Sequence, residues 1–215
     1  TGASVKLRQR RRVVPEALIG LDIDAIGAVV EVEVVDVLRA EEDLQRVGDL
    51  AWAAADARTR GFLLGATSGR TTLMGEGLQH DDGHSHVLAM TNPAVRQYDP
   101  TFAYELAAII RDGIERMHVK AEDLIYYITI YNENYAQAPK PEGVDEGILR
   151  GIYRFAEAPK LAGRNGSKGR AAPAVRLVGS GSILLQVIAA QQLLAEKLGI
   201  AAEVYSAPSW PMLRR

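Results

Sequence analysis

Cysteine is absent from the 215 residues of this chain. That absence excludes disulfide bonds, zinc sites built on thiolates and cysteine nucleophiles. It fits a reducing compartment, and we expect a cytoplasmic protein.

The sequence also lacks an excess of charge and a long apolar run. Lys and Arg total 25 against 27 for Asp and Glu, which gives a formal net charge of −2. Binding to nucleic acid through bulk positive charge is therefore disfavoured, and the arginines between residues 8 and 12 are better explained as a solvated terminus than as a nucleic-acid patch. The longest apolar stretch, Ala25–Val30, is far shorter than the ~20 residues that span a bilayer. We expect neither a nucleic-acid partner nor a membrane partner.

Apolar periodicity predicts an α/β protein. The last predicted elements form a compact strand–helix–strand unit, which indicates a mostly parallel sheet with a right-handed crossover. Helices are predicted from about Asp43 to Ala55 and over Thr101–Val119, Val144–Phe155 and Ser182–Leu198, and strands over Val29–Val37, Phe62–Ala66, Leu124–Tyr131, Val175–Val178 and Ala202–Ser206.

The densest chemistry lies in a glycine-rich segment, Gly75–His86, which holds three histidines and three carboxylates. Imidazoles change charge near neutral pH, so proton transfer is one possible function. A metal site is another, because His84 and His86 would point the same way from an extended strand and His80 could supply a third nitrogen. A polar surface loop is the third interpretation. We favour a functional loop and expect Thr67–Ala89 to line a cleft and to stay out of the core, because its polar groups would be costly to bury unpaired.

Two other segments combine glycine with hydroxyl side chains. Gly65–Thr72 could cradle an anion, but it lacks the Gly-Lys-Ser/Thr of a nucleotide P-loop. Gly179–Ser182 lies between a predicted strand and a predicted helix, where a phosphate could bind. The third small residue of a dinucleotide fingerprint is replaced there by Leu184, so we predict a structural turn.

From about Gln45 onward, long stretches of the sequence resemble one enzyme family. The matching stretches are Gln45–Ala54, Gly61–Leu73, Gly75–His86, Tyr98–Pro100, Phe102–Glu105, Tyr126–Thr129, Asn132–Tyr135 and Gly147–Tyr153. They resemble the homodimeric type of pyruvate dehydrogenase, the decarboxylating component that depends on thiamine diphosphate. The Asp-Gly-x-x-His element at Asp82–His86 is also similar to that of transketolase, which belongs to the same superfamily.

The resemblance implies a transketolase-like thiamine diphosphate-binding fold, with three layers, α/β/α, around a mostly parallel sheet. Residues 44–155 would form part of the pyrimidine-binding domain with its following helix. Residues 156–173 would be a linker, and residues 174–215 the first part of a C-terminal domain. Residues 1–43 do not match the family pattern, and we expect them to be poorly integrated into the fold.

The resemblance also implies a chemistry. Such enzymes remove carbon dioxide from pyruvate on thiamine diphosphate and pass the acetyl group to the lipoyl group of dihydrolipoamide acetyltransferase. By resemblance, the catalytic residues of the loop are His80, His84 and His86. The residues that lie close to substrate and cofactor are Glu76, Gln79 and Asp82. None of these side chains is expected to bind a metal ion, and a homodimer is expected.

The sequence departs from the family pattern in two places. The Gly-Asp-Gly motif and downstream Asn that hold Mg²⁺ and the diphosphate are absent, since Gly48 and Asp49 are followed by Leu50. Residues 1–43 also lack the sequence context of the activating glutamate of the family. We therefore expect an internal fragment, inactive alone, with Mg²⁺ bound through a domain missing from this chain. A non-catalytic interaction module and a histidine-rich metal site are the alternatives.

Overall fold

The computed structural model describes residues 38–39, 43–66, 84–131, 134–161 and 175–215. All of them belong to one compact unit, residues 31–215. The strand predicted over residues 29–37 and the poor integration of residues 1–43 fall largely outside the described residues. Both therefore stay predictions.

Four parallel strands form the first sheet, in the order β1-β2-β4-β3. They are β1 (Leu38–Arg39), β2 (Gly61–Ala66), β3 (Val95–Tyr98) and β4 (Ile125–Thr129). Every residue of β4 is buried, as expected for an apolar, β-branched and aromatic run in a parallel sheet covered on both faces.

Helices cover both faces of this sheet. They are α1 (Asp43–Asp56), α2 (Ser85–Ala89), α3 (Ala103–Ile114) and α4 (Asp145–Arg150), and a π-helical turn, Glu115–Val119, continues α3. Successive side chains of β4 point to opposite faces. Tyr126 packs in one core with Ile109 of α3, and Tyr127 packs in another with Ala89 of α2. The expected three-layer α/β/α arrangement is thereby confirmed.

The second sheet has three strands in the order β5-β7-β6. Its elements are β5 (Tyr153–Ala156), β6 (Val175–Gly179), α5 (Ile183–Leu198) and β7 (Ala202–Ser206), followed by α6 (Trp210–Arg214). β6 is parallel to β7 and β5 is antiparallel to it. The strand–helix–strand unit predicted from the sequence is therefore confirmed. Among the helices that the structure describes, none is long and apolar enough to cross a membrane.

Two predictions of secondary structure are wrong. From the sequence we predict neither a helix nor a strand between Ala66 and Thr101, yet the described part of that connection contains α2 and β3. The helix predicted over Val144–Phe155 ends at Arg150, because Gly151 takes a left-handed conformation with φ of 101° and the chain then enters β5.

Glu105 of α3 is a fully buried carboxylate that joins the start of α3 to the second sheet. One oxygen accepts the backbone N–H groups of Thr101 at 2.5 Å and Phe102 at 3.1 Å, which precede α3. The other oxygen accepts the hydroxyls of Tyr153 on β5 and Ser206 on β7, both at 2.6 Å. The side chain thus caps the N-terminus of α3, which packs on the first sheet, and it binds two strands of the second sheet.

The variant Glu105→Gln tests this junction. A glutamine offers one acceptor oxygen where the carboxylate offers two, and hydrogen bonds to a charged group are worth about 1.5–3 kcal/mol each, so we expect a loss of about 2 kcal/mol in the free energy of unfolding. The control is Glu146→Gln, whose partner Arg150 lies 2.7 Å away on an exposed surface, and we expect a change within about 0.5 kcal/mol. Urea unfolding followed by circular dichroism measures both. Equal losses in Glu105→Gln and Glu146→Gln would contradict the role of Glu105 as a buried hydrogen-bond acceptor at this junction.

The hydroxyls of Tyr104 and Tyr153, 2.6 Å apart, make the same junction sensitive to alkali. Burial raises the pKa of Tyr104 from 10.0 to about 12. Burial and the nearby carboxylate of Glu105 raise the pKa of Tyr153 further. Both pKa values are higher in the folded than in the unfolded state, so the unfolded chain loses these protons first.

We therefore expect the free energy of unfolding to fall as the pH rises from 10.0 towards about 12. Urea unfolding at several alkaline pH values measures the slope. Tyr104→Phe removes one of the two protons and should give a shallower fall. An unchanged slope in this variant would contradict the interpretation.

Candidate functional site

The described part of the glycine-rich loop begins at His84, which is exposed at the start of α2. His86 lies within α2 and is half-buried. The other predicted site residues lie outside the described residues, and their roles stay predictions: Glu76, Gln79, His80 and Asp82.

The predicted geometry of His84 and His86 is wrong. These residues do not alternate on an extended strand, because Ser85–Ala89 is helical and residues two apart on a helix do not face the same way. The end of the segment also packs as core, since Ser85 and Ala89 are buried. Within the described ranges, no group of three His, Cys, Asp or Glu side chains is placed to hold a metal ion.

His86 contacts the end of the central strand. Its Nε2 lies 3.3 Å from Oγ1 of Thr129, the last residue of β4. Its ring meets the ring of Tyr127 in an edge-on arrangement, with 5.1 Å between centroids. The imidazole therefore lies at the carboxyl end of a parallel strand, where open α/β sheets bind their ligands.

Asp99 is a buried carboxylate at the same edge, directly after β3. Its Oδ1 accepts the hydroxyl of Thr129 at 2.6 Å and also the hydroxyl of Tyr131. Its Oδ2 accepts the hydroxyl of Ser180 at 2.8 Å, from the turn between β6 and α5. Asp99 thus connects the carboxyl ends of both sheets.

Backbone hydrogen bonds fix Asp99 further. Its N–H donates to the carbonyl of Pro208 at 2.6 Å, and its carbonyl accepts the N–H of Gly181 at 3.2 Å. The hydroxyl of Thr101 donates to the carbonyl of Gly181 at 2.8 Å. The turn at Gly179–Ser182 therefore binds the chain around Asp99, as its interpretation as a structural turn predicts.

Sequence reasoning missed Thr129 and Asp99 as site residues. A signal was present for Thr129, which places a hydroxyl at the end of a strand that is otherwise aliphatic and aromatic. Asp99 lies within the matching stretch Tyr98–Pro100, but no role was predicted for it. Neither residue belongs to the histidine loop, so composition did not connect them to it.

Two family models match the chain. The model described as pyruvate dehydrogenase E1 component middle domain matches residues 34–138. The model described as transketolase-like TK C-terminal domain matches residues 151–215. The first match begins ahead of residue 44, and the predicted domain boundaries stay predictions.

Several curated proteins named pyruvate dehydrogenase E1 component are similar to this chain. The one from Pseudomonas aeruginosa is 54% identical over 171 residues, and the one from Escherichia coli K12 is 53% identical over 172. The one from Mycobacterium tuberculosis is 50% identical over 173 residues. Each alignment covers 80% of this chain and 18% of the relative. The chain thus spans less than a fifth of the length of these relatives.

Solved transketolase structures share the fold. The Campylobacter jejuni enzyme superposes with a TM-score of 0.60 at 15% identity, over 82% of this chain and 24% of that one. A transketolase mutant from Pichia stipitis gives a TM-score of 0.57 at 16% identity, over 82% of this chain and 23% of that one. The expected transketolase-like fold is confirmed.

Gly181 allows a direct test of the junction at Asp99. Its φ is +51°, and a Cβ there would lie 2.8 Å from both carboxylate oxygens of Asp99 and also collide with the hydroxyl of Tyr131. Gly199 has a similar φ of +60° with nothing within 4 Å, so it provides a matched control.

Both Gly181→Ala and Gly199→Ala incur the left-handed strain of about 1–2 kcal/mol. We expect Gly181→Ala to lose about 1–3 kcal/mol more in the free energy of unfolding, because it disturbs buried hydrogen bonds to a carboxylate. Urea unfolding measures the difference. The same loss in both variants would mean that the close approach at Gly181 is unimportant.

Proposed function

Because this chain belongs to the family of pyruvate dehydrogenase E1 components, we propose that it forms part of an enzyme that decarboxylates pyruvate and transfers the acetyl group to a lipoyl group. That lipoyl group is carried by dihydrolipoamide acetyltransferase. The main support is the 54% identity over 171 residues with the Pseudomonas aeruginosa relative, together with the position of His86 at the carboxyl edge of the sheet. We further propose a cytoplasmic homodimer.

Proteins of this family depend on thiamine diphosphate. When bound, the cofactor supplies the electron sink that accepts the bonding electrons as carbon dioxide leaves. The donor set at the sheet edge fits the proton-handling part of this chemistry, since it consists of an imidazole and hydroxyls backed by a buried carboxylate. We propose that a domain outside this chain holds Mg²⁺ and the diphosphate, because the Gly-Asp-Gly motif and its Asn are absent here.

The loop histidines have separate roles in this proposal. His80 contacts the substrate and assists proton transfer to and from it. His86 accepts or donates a proton at the sheet edge, where Thr129 orients its ring. The remaining proposed site residues shape the same loop: His84, Glu76, Gln79 and Asp82.

A chimera tests the proposal. The matched segment of the Pseudomonas aeruginosa relative is replaced by the matched 171 residues of this chain, so that the relative supplies the remaining domains. We expect pyruvate-dependent dye reduction in the presence of thiamine diphosphate and Mg²⁺. In the chimera, His80→Ala should lower kcat by about 10²–10⁴-fold, the usual contribution of general acid–base catalysis.

The control is His118→Ala, which removes an exposed histidine of the π-helical turn and should leave kcat unchanged. The isolated 215-residue chain should show no turnover. A folded chimera that binds thiamine diphosphate but never consumes pyruvate would contradict the proposed function. An unchanged kcat in His80→Ala would remove His80 from the mechanism.

A further inference from the structure

The hydrogen bonds around Thr129 determine the direction of its hydroxyl. A threonine hydroxyl has one hydrogen to donate and two lone pairs to accept with. Its Oγ1 lies 2.6 Å from Oδ1 of Asp99 and 3.3 Å from the carbonyl oxygen of Tyr98. A carboxylate and a carbonyl can only accept, so the single hydrogen of Thr129 points to one of these two oxygens.

These bonds determine which atom is the donor and which the acceptor in the contact between Thr129 and His86. Since the hydroxyl hydrogen is directed elsewhere, Oγ1 presents a lone pair to Nε2 of His86 at 3.3 Å. A hydrogen bond at this contact requires a hydrogen on Nε2. We infer that Thr129 and Asp99 are positioning residues that hold His86 with its proton on Nε2, so that Nδ1, a buried atom, carries no proton while the ring is neutral.

The arrangement is fixed by its surroundings. The hydroxyls of Ser180 and Tyr131 also donate to the Asp99 carboxylate, and both backbone polar groups of Asp99 are hydrogen-bonded. Asp99 is therefore held in place whether or not a ligand is present. The aromatic ring of Tyr127 lies edge-on to His86 and restricts the rotation of its ring.

The same hydrogen bond suits both protonation states of His86. Neutral imidazole with a proton on Nε2 and doubly protonated imidazolium both donate from Nε2 to Thr129. The ring therefore does not need to flip when Nδ1 takes up a proton. This property suits a group that exchanges protons with a substrate, and it is the part of the inference that rests on the proposed function.

Nuclear magnetic resonance of the 215-residue chain with ¹⁵N-labelled histidine tests the tautomer without any catalysis. At a pH where imidazoles are neutral, we expect a pyrrole-type Nε2 and a pyridine-type Nδ1 for His86, assigned by the loss of its signals in His86→Gln. The proton on Nε2 should exchange slowly with water. The exposed His118 provides the reference and should exchange its ring proton rapidly. A pyridine-type Nε2 in His86 would overturn the inference.

Two variants of Thr129 separate positioning from packing. Thr129→Val keeps the shape and removes the acceptor, so the slowly exchanging Nε2 proton should disappear. Thr129→Ser restores the hydroxyl and should restore that proton. A slowly exchanging proton that persists in Thr129→Val would overturn the inference, and the spectrum of the unmodified chain decides the tautomer even if Thr129→Val does not fold.

The chimera described above tests the consequence for catalysis. Thr129→Val should lower kcat about tenfold or more while KM changes little, because a misplacement of about 1 Å in an active site can cost about 10²-fold in rate. Thr129→Ser should recover most of the rate. An inactive parent chimera would count against the proposed function and leave the tautomer measurement standing. An active chimera whose kcat is insensitive to Thr129→Val would overturn the positioning role.

Discussion

The buried carboxylate of Asp99 is the interaction on which the two sheets and the candidate site all depend. Burying a charged group is costly unless its oxygens are filled by hydrogen-bond donors. Here the donors come from Thr129 in the first sheet and from Ser180 beside the second. Separating the sheets would leave the carboxylate unsatisfied, so the requirement to fill its lone pairs fixes their relative position. Glu105 adds a second buried carboxylate, which joins the start of α3 to the second sheet.

This constraint also explains why the carboxyl edge is suited to chemistry. The hydroxyls that satisfy Asp99 are already oriented before any ligand binds, and His86 is attached to one of them. A site that is held by buried hydrogen bonds on rigid strands needs little rearrangement during the reaction. The stability of the sheet junction and the orientation of the imidazole therefore depend on the same few hydrogen bonds.

Strands were predicted well from the sequence where apolar, β-branched and aromatic residues form most of the run. The run Leu124–Tyr131 is apolar, β-branched and aromatic, and it contains β4; Ala202–Ser206 coincides with β7. β3 was missed because two of its four residues, Arg96 and Gln97, are polar. Gln97 is nevertheless buried, and its amide donates to the carbonyl of Val95 at 3.0 Å. A buried polar residue whose amide donates to its own strand cannot be recognised from hydropathy.

The part of the site that is local in the sequence was predictable, and the part that depends on strand pairing was not. The histidine loop is a local feature, and composition alone reveals it. The contact between Asp99 and Thr129 is not local, because 30 residues separate them and only the parallel pairing of β3 with β4 brings them together. The register places Tyr98 opposite Ile128, so the residues that follow them must be neighbours at the carboxyl edge. The order of the strands and their register are therefore what turn two ordinary polar residues into a support for His86. Neither can be inferred from the residues of the loop itself.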